Sequence, residues 1–443
     1  MRRYHDAEGM QYVSTNRKET TDLKGAVSHC YAGDGSLYIP SALPRLPQAF
    51  FNNISEMTTT EIAFVVLSTL LGDTVDAVKV KQAVEYAFGA PVVTRHLSPT
   101  LSIQELFSGP TLAFKDYSAM FMSAILPQIV DPSRHITIVT ASTGNTGAAI
   151  ANAFSGKDNV DVFVLFPYGS MKRNDLAQFA ALAENVHPLE VMGNISDCKA
   201  LAKEAISDKS LEERSCVISG NTNNILRILP QVVFFFEAYA RSGVAGTKHK
   251  FSVSIPCGNL SNLTAAVFAR QMGLPINHII AGCNANDDFV RVLKGDLTPD
   301  RVNRTSRQTL ARAMDSGYPT NLPRLLALYD GDITKAADDI KAYSVCDDEI
   351  KVAINSIYDT YDYQCDPHTA VAAAAARMYA EEDEHVTILA TAHPAKSLNV
   401  MTSITGRAVE LPLQLTRFMA KPKSPQKLAP TYQALKKNIL THL

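Results

Sequence analysis

The chain has 443 residues, enough for two or three domains with ample core. Hydrophobic residues make up 46% and charged residues 19%, the balance of a globular protein, and no apolar run reaches membrane-spanning length. The formal net charge of -2 argues against nucleic acid or a polybasic membrane contact as a partner.

Residues 1–92 differ in texture from the rest and are expected to form an N-terminal lobe. Met1-Arg2-Arg3-Tyr4-His5-Asp6 lacks the apolar core of a signal peptide. Seven scattered cysteines without Cys-x-x-Cys pairs read as reduced thiols, so a cytoplasmic location is expected. Residues 93–133 carry the segment Gly109-Pro110-Thr111-Leu112-Ala113-Phe114-Lys115-Asp116-Tyr117, followed by Met120, Phe121, Ala124 and Ile125 at helical spacing. A lysine in such apolar company either snorkels to the surface or sits in a pocket that favours its neutral amine. A neutral amine attacks carbonyls, as a Schiff-base lysine does with pyridoxal phosphate.

Residues 134–250 read as a small α/β domain. His135 to Thr140 and Val160 to Phe166 are expected strands, with a helix from Gly144 to Phe154 between them. Ala141-Ser142-Thr143-Gly144-Asn145-Thr146-Gly147 joins strand to helix. It is either an anion cradle or an ordinary βα turn with Ser and Thr as caps. Residues 251–443 read as a large α/β domain. Phe251 to Ile255, His278 to Cys283 and Val386 to Ala390 are expected strands; Leu263 to Met272 and Thr369 to Glu382 are expected helices. Cys257-Gly258-Asn259-Leu260-Ser261-Asn262 is a second candidate phosphate cradle, or a simple turn. Thr391 closes the last strand, where a hydroxyl can meet a ring nitrogen, and His393 reads as structural. Asp366-Pro367-His368-Thr369 reads as a helix start. The tail after Pro422 reads as a tether followed by a closing helix. The alternation of strands and helices predicts parallel sheets with ligands at the carboxyl ends of the strands. No metal-ligand spacing, nucleophile elbow or Walker loop occurs.

In order along the chain, these segments resemble the threonine synthases, a family of fold-type-II pyridoxal-phosphate enzymes acting on O-phosphohomoserine. The resemblance is carried by Tyr12-Val13-Ser14-Thr15, Asp34 to Pro40, Gly109 to Tyr117 and Pro167-Tyr168-Gly169. It continues through Asn221-Thr222-Asn223-Asn224 with Arg227 and Gln231, Asn284 to Asp287, Ala313-Met314-Asp315, Asp366 to Ala370 and Thr391 to Lys396. It implies two parallel-sheet α/β domains with an N-terminal lobe, bound pyridoxal 5'-phosphate, a small amino-acid substrate, no metal, and a monomer or homodimer. It also implies residue roles. Lys115 is the Schiff-base lysine and moves protons among Cα, Cβ and Cγ. Gly258, Asn259, Leu260, Ser261 and Asn262 hold the cofactor phosphate, Thr391 faces the pyridine nitrogen, and Asp116 and Tyr117 line the ring. Ser142, Thr143, Asn145 and Thr146 hold the substrate carboxylate, and Asn223 and Asn224 contact the rest of the substrate. Lys172 and Arg173, in a segment that departs from the family, are expected either to reach the substrate phosphate or to read a different leaving group or side chain.

Four segments depart from the family pattern. Asn145 stands where the family's Ser-Gly-Asp-Thr-Gly loop has a carboxylate, and Ser118-Ala119-Met120 follows Lys-Asp-Tyr in place of glycine or small residues. Leu260 and Ser261 replace the last two residues of Gly-Asn-Phe-Gly. Gly169-Ser170-Met171-Lys172-Arg173-Asn174-Asp175 replaces Gly-Lys-(Ile/Val)-Ser, although Gln178 matches the glutamine that follows. A divergent lyase or γ/β-replacement enzyme acting on a related phospho-, phosphono- or γ-substituted amino acid is therefore the alternative. A non-catalytic paralogue is the third reading.

Overall fold

The computed structural model describes residues 10–171, 176, 178, 182–303, 305–418 and 424–443. In the N-terminal lobe β1 (Gln11–Ser14), β2 (Thr20–Asp22) and β3 (Tyr38–Pro40) pair antiparallel in the order β2-β1-β3. The helices Thr59–Leu71 and Ala77–Phe88 follow. The first opens on a Thr58–Glu61 capping box, which satisfies main-chain N–H groups that have no partner inside the helix.

The remaining strands are β4 (Val93–Ser98), β5 (Leu101–Glu105), β6 (Ile136–Ala141), β7 (Val160–Pro167), β8 (Val186–Val191), β9 (Cys216–Ser219), β10 (Lys250–Cys257), β11 (Ile276–Cys283), β12 (Ile340–Ser344), β13 (Glu384–Ala390) and β14 (Gln426–Leu428). They form two sheets, β12-β11-β10-β13-β5-β4 and β14-β8-β7-β6-β9. Every neighbouring pair is parallel except β4–β5. Both sheets are covered by helices, which is why β6, β7 and β13 are buried along their whole length rather than in alternation. The expected α/β architecture is the one observed.

The large sheet also takes in residues 93–105, where β5 pairs with β13 and β4 with β5. The chain after β13 leaves that sheet. Its tail returns to the small sheet, where β14 pairs with β8 and covers that edge. Leu428, Leu435 and Ile439 then pack with Leu189, Leu201 and Leu211. The closing helix is Tyr432–Leu440, while part of the expected tether, residues 421–423, lies outside the described residues.

The Lys115–Ile129 helix is buried on nearly all sides, with Tyr117, Phe121, Met122, Ile125 and Leu126 inside the main core. Its first turn meets the carboxyl end of β13, so the lysine motif arrives where a parallel α/β sheet places its ligands.

Candidate active site

Lys115 is the first residue of its helix and is 7% exposed. The loop before it runs antiparallel to the extension of β13: Ala113 bridges Ala392, the Phe114 N–H donates to the Thr391 carbonyl at 3.0 Å, and the His393 N–H donates to the Leu112 carbonyl at 3.1 Å. These main-chain bonds bring Lys115 beside Thr391. The Thr391 side chain is buried, and its hydroxyl bonds to no described residue.

The Lys115 amine donates to Ser261 Oγ at 3.3 Å and lies 4.3 Å from the centre of the Phe114 ring. Burial first, and the positive charge of Arg227 second, push its pKa down from 10.5 to about 7. Much of the amine is therefore uncharged near neutral pH. The snorkelling alternative is excluded, since the chain runs inward.

Ser261 opens the Ser261–Gln271 helix, and the loop before it supplies no side-chain cap at the helix start, Leu260. Asn259 Oδ1 accepts from the Ser261 N–H at 3.1 Å, while Asn259 Nδ2 donates to Thr222 Oγ1 at 3.2 Å. Asn262 is 5% exposed, and neither polar atom of its side chain has a partner among the described residues. A helix N-terminus that its own cap residue leaves open beyond Ser261, beside an unpaired buried amide, is suited to an anion. Gly258 is required by close packing: a Cβ there would lie 2.9 Å from the main chain of Met314.

The Ser142–Gly147 loop combines both readings considered for it. Ser142 Oγ accepts from the N–H groups of Gly144 at 3.2 Å and Gly147 at 2.9 Å and donates to the Gly144 carbonyl at 3.3 Å, so this hydroxyl caps the turn. Thr143 is exposed, and Asn145 and Thr146 are half-buried at the start of the Asn145–Phe154 helix.

Three other residues serve different ends from those expected. Asp116 does not present its carboxylate to a ligand. Its oxygens accept from Thr111 N at 2.8 Å and Thr111 Oγ1 at 2.6 Å, which closes the lysine loop on itself. Burial raises the Asp116 pKa, and those bonds pull it back. Tyr117 points into the core, its ring 5.4 Å from Phe88 and 5.5 Å from Phe234, with its hydroxyl on the Pro91 carbonyl at 3.2 Å. Asn224 is fully buried; it donates to the Val27 carbonyl at 3.0 Å and accepts from the Leu226 N–H at 3.0 Å, binding the N-terminal lobe. Asn223 is half-buried and donates to the Tyr31 hydroxyl. Lys172 and Arg173 lie outside the described residues. His393 is structural as expected: it accepts from the Ala395 N–H at 3.1 Å and packs edge-on to Phe107.

Two further cations stand at the site. Arg227 is 0% exposed, and none of its three guanidinium nitrogens has a partner among the described residues. Its charge reaches both Lys115 and Asp116. The signal in the sequence was an arginine within the apolar run Ile225-Leu226-Arg227-Ile228-Leu229. Lys396 reaches from the end of β13 to the Thr111 carbonyl at 2.6 Å and to Gln178 Oε1 at 3.1 Å. It thereby links the large sheet, the lysine loop and the small domain.

Comparison with known proteins gives a consistent picture. A family described as pyridoxal-phosphate dependent enzyme matches residues 90–391, threonine synthase N terminus matches 11–88, and the threonine synthase C-terminal family matches 369–439. Threonine synthase from Escherichia coli K12 is 32% identical over 432 residues, covering 97% of this chain and 99% of that protein. A crystal structure of Escherichia coli threonine synthase aligns with a TM-score of 0.89 at 30% identity, over 98% of this chain and 100% of that one. The structure of threonine synthase with bound pyridoxal phosphate from Brucella melitensis aligns at 0.88 and 28% identity, over 98% and 99%.

Proposed function

Because this chain belongs to the threonine synthase family of pyridoxal-phosphate-dependent enzymes, we propose that it converts O-phospho-L-homoserine and water to L-threonine and inorganic phosphate. The observation that carries this reading is the meeting of a buried, largely neutral Lys115 amine with the start of the Ser261–Gln271 helix.

The residues fit the cofactor. The start of the Ser261–Gln271 helix at Asn262, with its unpaired side-chain amide, suits its phosphate, the buried Thr391 hydroxyl suits its ring nitrogen, and Lys115 suits its aldehyde. When bound, pyridoxal phosphate supplies an electron sink for negative charge at the substrate Cα. Lys115 Nζ removes and returns protons at the substrate carbons, which needs an amine whose pKa lies near the working pH. Thr143, Asn145 and Thr146 hold the substrate carboxylate at the start of their helix, with Ser142 fixing the turn beneath them. Asp116 and Tyr117 position Lys115 from behind. Arg227 answers the charge of the departing phosphate, since a buried guanidinium without a partner gains most from a dianion. Lys172 and Arg173 are proposed as further phosphate contacts.

Free cysteines fit a reducing compartment, and we assign the protein to the cytoplasm as a monomer or homodimer. Among the described residues no helix is long and apolar enough to cross a membrane. The proposed units are the lobe up to residue 92, a small domain of 134–250 joined by the 426–440 tail, and a large domain formed by the rest.

The test is phosphate release and threonine formation from O-phospho-L-homoserine by the purified, cofactor-loaded protein. Lys115→Ala should abolish both, along with the visible cofactor band. The substituted 170–175 segment favours including other γ-substituted homoserines in the same assay. Turnover of one of these but not of O-phosphohomoserine would replace the proposed substrate.

A further inference from the structure

A second buried arginine lies behind the cofactor loop. Arg324, in the Leu322–Ala327 helix, is 0% exposed and faces no carboxylate among the described residues. Its guanidinium is satisfied by neutral oxygens from three separate parts of the chain. Nε donates to the Tyr38 carbonyl of the N-terminal lobe at 2.8 Å. Nη1 donates to the Thr222 carbonyl and, at 2.7 Å, to Asn321 Oδ1; Nη2 donates to the Asn223 carbonyl. Burial pushes its pKa down to about 9, so these dipoles carry the charge without a counter-ion.

Arg324 also settles which way the Asn321 amide points. With Oδ1 occupied by the guanidinium, Nδ2 must face the other way, and it donates to Thr222 Oγ1 at 3.0 Å and the Asn259 carbonyl at 3.1 Å. The Asn321 main-chain N–H donates to that same carbonyl at 3.1 Å. Asn259 is oriented by the same logic: its Oδ1 is taken by the Ser261 N–H, so its Nδ2 points at Thr222 Oγ1. Thr222 Oγ1 thus receives two amide donors, one from the cofactor loop and one from the loop beyond it.

We propose that Asn321 and Arg324 are positioning residues that hold the cofactor loop, at Asn259, in register with the Thr222–Asn224 segment and the N-terminal lobe. Three chain segments distant in sequence meet at the guanidinium, and none of them can shift without breaking a buried hydrogen bond. This rests on the reading that Asn259 and its loop contact pyridoxal phosphate. Positioning to a fraction of an ångström is what an active-site wall requires, because a displacement of about 1 Å costs roughly a hundredfold in rate.

Asn321→Asp separates positioning from stability. A carboxylate still accepts from Arg324 and pairs with its charge, so the fold keeps its support. It cannot donate, however: the Thr222 hydroxyl can turn to donate to it, but the Asn259 carbonyl is set against an acceptor. The expected result is an apoenzyme melting temperature at or above the wild-type value. The dissociation constant for pyridoxal phosphate should rise by about tenfold or more, with altered visible circular dichroism of the bound cofactor. If Asn321→Asp does not fold, Asn321→Ala carries the test, since it keeps the main-chain N–H to Asn259; it should melt lower and show the same loss of cofactor affinity. Cofactor affinity and dichroism within twofold of wild type in the folded variants, whatever their melting temperatures, would overturn the proposal. The readout involves no amino-acid substrate, so a wild type that binds cofactor but makes no threonine would sink the proposed reaction and leave this comparison intact.

Discussion

Gly258→Ala should damage the site through packing alone. The added Cβ would lie 2.9 Å from both Cα and the carbonyl oxygen of Met314, where ordinary contact begins at 3.4 Å, so something must move by at least about 0.5 Å. Both contacted atoms are main chain, and neither loop is free to yield. The 309–315 segment is held by Asp315, which accepts from Thr309 Oγ1 at 2.7 Å and Asn284 Nδ2 at 2.8 Å, and by the Ala313 N–H on His368 Nε2 at 3.1 Å. The cofactor loop is held through Asn259. Overpacking of this kind costs about 1–3 kcal/mol, and the displacement falls directly on the candidate phosphate cradle. Thermal melting of the apoenzyme and equilibrium titration with pyridoxal phosphate measure the two effects separately. Gly33→Ala, whose Cβ would meet only a Glu19 carboxylate oxygen at 3.4 Å, is the control and should change neither. Gly258→Ala with wild-type melting and wild-type cofactor affinity would refute the packing argument.

The Lys115 amine predicts a pH dependence. It reacts only when neutral, and its pKa of about 7 means that the rate of cofactor capture by the apoenzyme should rise with pH through a midpoint near 7 and then level off. Arg227→Met removes one of the two causes of that depression and should move the midpoint upward; a midpoint unmoved in a folded variant would separate Arg227 from Lys115. Asp116→Ala should cost about 1–3 kcal/mol by leaving the buried Thr111 N–H unpaired. Asp116→Asn should cost much less, because the Thr111 hydroxyl can reverse to accept from the new amide; equal melting temperatures for the two variants would contradict this. Tyr117→Phe removes the hydroxyl's bonds, to the Pro91 carbonyl and to Ser108, while keeping the aromatic packing, so about 1 kcal/mol of stability and little activity should be lost.

How far the sequence could be read depended on where each signal lay. The buried parallel strands β6, β7, β10, β11 and β13 announce themselves as β-branched runs, and the helices after β6 and β10 open on small polar loops. Short edge strands gave no such signal. Lys427 lies in a tail of mixed polarity and becomes part of a strand only because β8 offers it an unpaired edge. The same division holds at the site. The Lys115 motif is local, and its chemistry follows from its neighbours in sequence. The functions of Asn224, Ser142 and Asp116 are set by which hydrogen bonds they find: Asn224 reaches Val27, far away in the chain, while Ser142 and Asp116 turn to near neighbours instead of outward. The burial of Arg227 and Arg324 was not legible for a related reason: a buried arginine and a surface arginine are the same letter, and only the fold shows which one lacks a carboxylate.

The substitutions in the cofactor loop acquire a definite meaning from this geometry. Leu260 sits at φ +64°, a conformation that costs a side-chain-bearing residue roughly 1–2 kcal/mol. Its side chain is 2% exposed, and burying a leucine returns about 1.5–3 kcal/mol, which offsets that strain. Ser261, where the family has glycine, is the first helical residue and needs no left-handed conformation. What changes is the surface that Lys115 meets: a hydroxyl at 3.3 Å from Nζ in place of bare main chain. A hydroxyl there can accept from the amine while the lysine is free and donate to an anion when one is bound. The departure from the family pattern therefore falls on the contact between lysine and phosphate cradle, not on the loop's ability to form.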